Sequence, residues 1–388
     1  VSVLRVGKDL DKHSASCSWL SRSGCGWLTP VAAVLLLSFV PHATAQEECS
    51  APKPVCDARA AVFGIAAFDP VGSAVRIGPD LLVTNRHIVA DKTSVEISLN
   101  GGKKIEGTVV PTSFPADLVL VRADLPDGPV LDVGSDTGGS LWTLGSDLSA
   151  RKVKVYPKGK LLRAPAPGKP YARLHHTAYS QPGNSGGALV NDEGRLVGIT
   201  ASGGAGRFEA VPASQIADLK AVSGPEHEEK SAVLGKNLRE CTLILEKAQR
   251  LGSKVPDRLT EVVKTSCGAS ENRQLFDLTG QMLGRQRKFD DAIAFFQKAL
   301  DKDPNAINTR LSLVITLRFA RRLDEASEHV RWLMDVVPEE RAVHPIALAV
   351  GKASKDQALI DEALSLIEKY APNQLDAAKN FLQSPVVR

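Results

Sequence analysis

The 388-residue sequence is short of several features that would point to particular classes of function. Aromatic residues make up only 5%, and they do not alternate with basic residues in a stripe. Lysines and arginines are scattered and the formal net charge is only +4, so a nucleic-acid partner is not expected. The main apolar run, "WLTPVAAVLLLSFV" ending at Val40, falls short of the roughly 20 residues of a comfortable membrane span. Cysteine is sparse, at six residues. Cys49 and Cys56 lie seven apart without nearby Cys or His partners, a poor zinc site, and no metal or cofactor is expected. What is present, 43% hydrophobic and 24% charged residues, fits a globular protein whose length implies two or three domains.

The N-terminus reads as an export signal over residues 1–45. Arg5, Lys8, Lys12 and Arg22 precede the apolar run, and "PHATAQ" after it places Ala43 and Ala45 in a small-x-small cleavage pattern. An uncleaved anchor is the alternative, and the long basic region opening on Val1 implies a translation start further downstream. After cleavage no stable membrane insertion is expected, and the mature protein would be periplasmic or secreted. Beyond the signal, Cys49, Cys56, Cys241 and Cys267 remain, an even number that suggests structural disulfides in an oxidising compartment. The sequence-local pairing is Cys49–Cys56 with Cys241–Cys267, one of three connectivities.

Residues 46–59 form a short N-terminal segment, and from about 60 to 220 the pattern is of many short strands. "AVFGIAAFD", "GSAVRIG", "DLLVTN", "SVEISLN", "KKIEGTVV", "ADLVLVRA", "LWTLGS", "RKVKVYP", "ALVNDEGRLVGIT" and "FEAVPAS" are separated by turn residues, as in an all-β barrel or sandwich. "NDEGR" reads as a hairpin turn. Near Lys220 the texture changes: "SGPEHEEKSA" reads as a solvated linker, and residues 221–270 as linker plus helical hairpin. Helical patterns then run through 271–388, so an all-β domain is followed by a separate all-α one.

The helical part has a 34-residue period: Phe289 to Leu323, Ala292 to Ala326, and Pro304 to Pro338 to Pro372. This is the tetratricopeptide spacing. Gly280 permits close helix approach, Ala292 and Ala299 are small contact residues, Phe289 and Phe296 fill the core, and Pro304 stops a helix. The second unit has Val314 in place of Gly280, and the third is degenerate, with Ala363 three residues late. The resemblance to tetratricopeptide repeats is good over about 271–340 and loose over 341–388; a generic helical bundle is the alternative. Such repeats imply a protein partner held on a concave surface.

Within the β region, "QPGNSGGALV" could be a simple turn, or a turn that presents Ser185 as a nucleophile. A nucleophilic serine needs a base and a group that orients it. His87, His175 and His176 are the only histidines in this region, and His87 sits where the strand in "LLVTNRHIVA" ends. Asp117 opens the apolar "DLVLVRAD", where an unpaired carboxylate would be expensive to bury. The order His87, Asp117, Ser185 is that of chymotrypsin-type enzymes.

"TNRHIV", "ADLVLVR" and "QPGNSGGALVNDEGRLVGI" resemble the His, Asp and Ser motifs of trypsin-like serine peptidases, nearest to the bacterial Deg/HtrA branch, over about residues 60–220. The resemblance implies a double β-barrel with its active site between barrels, cleaving protein or peptide substrates. His87 would be the general base, Asp117 its orienting partner and Ser185 the nucleophile, with the amides of Gly183 and Ser185 as oxyanion hole. Asn184 would supply an unusual φ. Ala201, Ser202 and Gly203 would face the substrate backbone, and Ala210 would shape a pocket for an apolar side chain. His175 and His176 read as strand residues, one facing in and one out, with cleft lining as the alternative. Glu209 reads as a solvated strand residue, or else as one reaching into the pocket. The PDZ module usual after this protease is replaced by linker and helical repeats, and no activation-site motif precedes the barrel. A catalytically silent scaffold, working through its repeats, is the competing reading.

Overall fold

The computed structural model describes residues 49–99, 102–147, 152–252 and 254–384. The expected signal over 1–45 lies outside them. The chain enters through a short helix α1 (Lys53–Ala58). Six strands follow, β1 (Val62–Ala66), β2 (Gly72–Gly78), β3 (Leu81–Thr84), β4 (Ser94–Ser98), β5 (Lys104–Val110) and β6 (Val119–Arg122), and they close into an antiparallel barrel in the order β1-β2-β3-β6-β5-β4. A four-residue helix α2 (Arg86–Val89) follows β3. The period-two rule is plain in β4, "SVEIS", where Val95 and Ile97 are buried while their neighbours face water.

Seven further strands make a second antiparallel sheet: β7 (Leu141–Asp147), β8 (Lys152–Val155), β9 (Leu161–Arg163), β10 (Leu174–His176), β11 (Ala188–Asn191), β12 (Leu196–Gly204) and β13 (Arg207–Pro212), in the order β8-β7-β11-β12-β13-β10-β9. A second closed barrel was expected. Among the described residues its ends, β8 and β9, are not joined by a ladder. The anticipated "NDEGR" hairpin is present between β11 and β12. Strands β9 and β10, three residues each, are too short to stand out in the sequence. One apolar cluster, including Val75, Val83, Leu120, Leu144, Ala188 and Ile199, joins the two sheets.

After α3 (Gln215–Ala221) the rest is helical: α4 (Glu228–Leu251), α5 (Asp257–Gly268), α6 (Arg273–Arg285), α7 (Phe289–Lys302), α8 (Ile307–Phe319), α9 (Leu323–Val336), α10 (His344–Ser354), α11 (Gln357–Tyr370) and α12 (Leu375–Gln383). The stretch expected as linker is mostly not one. Helix α4 begins inside it at Glu228, and the acidic Glu228 and Glu229 form its first turn, where the helix dipole favours negative charge. Ser223 and Gly224 are tied back to the first barrel, with the Gly224 amide donating to the Pro111 carbonyl at 2.9 Å.

Consecutive helices pack against one another, α6 on α7, α8 on α9 and α10 on α11. A Cβ on Gly280 would meet the Phe296 ring at 2.7 Å, which explains the glycine in α6. Ala292, Phe296, Ala299, Ala326 and Ala363 are buried in one continuous core, whereas Phe289 is only half-buried. Asn272 and Asp356 cap α6 and α11 through their side chains, accepting from the amides of Leu275 and Leu359. A Cys241–Cys267 disulfide ties α4 to α5, and Cys49 and Cys56 are each disulfide-bonded as well. No described helix is long and apolar enough to cross a membrane.

Candidate active site

Strand β3 ends at Thr84, and the chain turns through Asn85 into α2, which carries His87 in its first turn. Asp117 lies just ahead of β6, whose neighbour in the barrel is β3. The pairing of these strands therefore brings together two residues 30 apart in sequence. The Asp117 carboxylate accepts from the His87 amide at 3.0 Å through Oδ1 and meets the ring Nδ1 at 2.8 Å through Oδ2. The Asn85 amide group donates to the Asp117 carbonyl at 2.9 Å. His87 and Asp117 are each about 4% exposed. Burial disfavours the Asp117 charge, but His87 and then Arg173 more than offset it, and the carboxyl stays below its ordinary value. An ionised carboxylate can only accept, so the ring donates from Nδ1, and in the neutral imidazole the lone pair then lies on Nε2. That is the state a general base requires.

Ser185 stands on the turn before β11. Gly183 has φ +100° and Gly186 has φ +82°, both in the region that favours glycine. At Gly186 the space is closed as well: a Cβ would lie 2.0 Å from the Ser73 carbonyl oxygen and 2.3 Å from Thr84 Oγ1. The turn that carries Ser185 is thus pressed against β2 and the end of β3, the strand leading to His87. Among the described residues, none accepts a hydrogen bond from the amide of Gly183 or Ser185, so both amides are free to face a developing oxyanion. Asn184 departs from expectation. Its φ is not positive, and it acts through its side chain, accepting from the Gln181 amide at 2.8 Å and donating to the Ser146 carbonyl at 3.1 Å.

The Ser185 hydroxyl donates to the Ala201 carbonyl at 3.2 Å, and among the described residues His87 Nε2 has no hydrogen-bond partner. His87 and Asp117 are therefore paired, while the serine hydroxyl is hydrogen-bonded to Ala201 and not to the base. Such bonds are often long or misaligned without substrate, and a rotation about the serine χ1 redirects the oxygen.

The residues expected around a substrate are placed as follows. Ala201 is buried, with its carbonyl on Ser185. Ser202 is half-buried and donates to Glu209 at 2.8 Å. Gly203 is half-buried and pairs with Phe208 in the β12–β13 ladder. Ala210 does not line a pocket: it is fully buried in the core of the second sheet with Leu174 and Leu189, because its register partner on β10 is the core residue Leu174. Glu209, read as solvated, is 4% exposed and ion-paired to Arg173 and Arg273. His175 and His176 do sit on a strand, but both are buried, since helices cover the outer face that His175 occupies. His175 Nε2 lies 2.9 Å from Asp303 Oδ2. His176 packs on Phe208, and burial, followed by His175, pushes its pKa down to about 3.

Three contributors escaped the sequence reading. Ser73 donates its hydroxyl to the Gly183 carbonyl at 2.7 Å and its amide to the Ser185 carbonyl at 2.7 Å. Arg173 reaches Asp117 Oδ2 at 3.4 Å and Glu209 Oε2 at 3.1 Å. Arg86, buried beside them, has its pKa lowered by burial to about 10. Nothing in their local sequence marks them, because each acts on residues that are remote along the chain. Among the described residues, no group of three or more His, Cys, Asp or Glu side chains is arranged to hold a metal.

Residues 72–199 match the trypsin-like peptidase domain family. The chain is 31% identical over 143 residues to the serine protease Do-like HtrA of Lactococcus lactis, covering 32% of this chain and 34% of that protein. It is 26% identical over 238 residues to the periplasmic serine endoprotease DegP of Escherichia coli, covering 56% of this chain and 49% of that one. The chain thus spans from about a third to half the length of these relatives. Among solved structures, the HtrA-type protease AlgW with a tripeptide aligns at 25% identity and a TM-score of 0.38, over 43% of this chain and 61% of that one. The chain therefore carries a trypsin-like peptidase domain, with relatives among the HtrA and DegP proteases, followed by a helical region.

Proposed function

We propose that this protein is an exported serine endopeptidase of the Deg/HtrA type, working through His87, Asp117 and Ser185 with an acyl-enzyme intermediate. The observation that carries the reading is the buried His87–Asp117 pair, whose Nε2 has no partner among the described residues, with the Ser185 turn packed against the end of the strand that leads to His87. In the reaction His87 takes the Ser185 proton as the oxygen attacks the scissile carbonyl. The Gly183 and Ser185 amides bind the resulting oxyanion, and His87 returns the proton to the leaving amine. Water then repeats the sequence on the acyl-enzyme. Disulfide-bonded cysteines and periplasmic relatives support an oxidising, extracytoplasmic location.

The helical region is read as tetratricopeptide-like, on its 34-residue period and the Gly280–Phe296 contact, and as a surface for a protein partner. Part of that surface is taken up by the peptidase domain itself, through Arg163–Asp335 at 2.9 Å and Arg207–Glu340 at 2.7 Å. A partner would use the remainder.

The orientation of Ser185 Oγ toward Ala201 favours one competing reading, a peptidase-like scaffold that binds without cleaving. A fluorophosphonate probe separates the two. Endopeptidase chemistry requires labelling of the folded protein at Ser185, and loss of both labelling and casein cleavage in Ser185→Ala. Folded, monodisperse protein that takes no label would leave only the scaffold.

A further inference from the structure

The contact between the peptidase domain and the helices is not a simple apolar seam. A buried chain of charged groups crosses it and ends on the candidate catalytic aspartate. Asp117 Oδ2 receives Arg173 Nη2 at 3.4 Å. The same guanidinium gives Nη1 to Glu209 Oε2 at 3.1 Å and to Ser202 Oγ at 2.8 Å. Glu209 Oε2 is in turn held by Nη2 of Arg273, in the first turn of α6. Asp117, Arg173, Glu209 and Arg273 are each 7% exposed or less. A second contact runs beside the first: Asp303, fully buried at the end of α7, accepts from the Arg173 amide at 3.4 Å and lies 2.9 Å from His175 Nε2. Helix α4 reaches the other catalytic residue's support. A Cβ on Gly235 would fall 2.3 Å from the carbonyl oxygen of Ala90, the residue after α2, and Arg239 pairs with Asp91 at 2.9 Å.

Charge accounting shows what Arg273 does there. Arg173 lies between two carboxylates, Asp117 and Glu209, and a buried guanidinium shared in this way moves toward whichever is less neutralised. With Arg273 on Glu209, that carboxylate has its own cation. Without Arg273, Glu209 keeps His175, 3.9 Å from its other oxygen and itself shared with Asp303, and its one remaining guanidinium is Arg173, which is drawn off Asp117. The aspartate then keeps His87 as its direct partner, with Arg86 as the remaining nearby cation.

We infer that the helical region is part of the active-site framework, with Arg273 as a positioning residue that neutralises Glu209 and so leaves Arg173 available to Asp117. This rests on the endopeptidase reading for its consequence, but the arrangement of the His87–Asp117 pair does not depend on turnover. Two readouts therefore apply, both on the full chain: the rate of fluorophosphonate labelling of Ser185, and the downfield proton resonance of His87 Nδ1–H. Arg273→Met should slow labelling about tenfold, the upper part of the usual range for coupling through a buried network, and should shift or broaden the resonance. The double variant Arg273→Met/Glu209→Gln, in which the competing carboxylate is neutral, should return both toward the wild type. Circular-dichroism melts establish that each variant is folded. Should Arg273→Met alone fail to fold, the double variant decides by its resonance, retained in position if the inference holds and displaced if it does not. Wild-type labelling and resonance in Arg273→Met, or a double variant as slow as the single one, would overturn it. A wild-type protein that is never labelled refutes the endopeptidase reading, while the resonance still decides the inference.

Discussion

The hydroxyl of Ser73, on β2 of the first barrel, donates to the carbonyl of Gly183 in the nucleophile turn of the second sheet at 2.7 Å. The same oxygen accepts from the Ser146 amide at 2.8 Å, and the Ser73 amide holds the Ser185 carbonyl. The peptides on either side of the Asn184–Ser185 unit are therefore held from the opposite sheet. Ser73→Ala removes the hydroxyl contacts but leaves the oxyanion amides in the chain. Labelling of Ser185 should slow about tenfold, less than the hundredfold or more for loss of an oxyanion donor itself. Stopped-time labelling with a fluorophosphonate, at matched helical and strand content, measures this; an unchanged rate would remove Ser73 from the site.

Gly186 is constrained twice, by its positive φ and by the approach of Ser73 and Thr84. Gly186→Ala should cost more than about 2 kcal/mol of stability, since left-handed backbone strain and a clash with a main-chain carbonyl add. Urea denaturation compared with the wild type tests this, and a loss under 0.5 kcal/mol, roughly that of an ordinary surface change, would contradict it.

Asp277, on α6 one turn from Arg273, has one carboxyl oxygen buried without a partner among the described residues, and burial raises its pKa to about 6 from the ordinary 3.8. The folded protein keeps this proton up to about pH 6, whereas the unfolded chain releases it near 3.8. The associated stability is complete below the lower value and is lost as pH rises through the upper one. Asp277→Asn should therefore gain on the wild type progressively between about pH 4 and pH 6, and hold a constant advantage above that. Melting temperatures at a series of pH values provide the comparison; parallel curves would refute it.

The Cys241–Cys267 bridge closes a loop of 26 residues between α4 and α5. Replacing both cysteines by serine should destabilise the helical region by about 3 kcal/mol on the loop-entropy scale. Because α4 also packs on the turn that carries His87, labelling should fall off at a lower temperature than in the wild type. Differential scanning calorimetry with and without a thiol reductant reads the first effect, and temperature-dependent labelling the second.

Much of the architecture was legible in the chain. Strand positions β1 to β8 and β11 to β13 followed from alternation and turn residues, and the helices of the C-terminal half from apolar spacing and the 34-residue period. The His87–Asp117 contact was legible too, because an aspartate opening an apolar strand has to find a donor. What stayed hidden has a common cause. Glu209 looked solvated, and one of His175 and His176 was expected to face outward, since a strand pattern cannot reveal that helices from far along the chain will cover its outer face. Ala210 looked like a pocket residue until the β10–β13 register set it opposite Leu174. The short, polar β10 has no pattern of its own; it is a strand because β13 pairs with it.

By itself, then, the sequence determined the kinds of element, the residue types of the candidate site, and the glycines that the nucleophile turn requires, because these follow from local backbone sterics and periodicity. Only the tertiary structure decided which charges are buried and against what. The path Asp117–Arg173–Glu209–Arg273 joins residues from 117 to 273, and its members become neighbours only when α6 closes over β10 and β13. Once water is excluded there, each of these charges needs a partner, and that need, which no local stretch of sequence displays, links the helices to the aspartate beside His87.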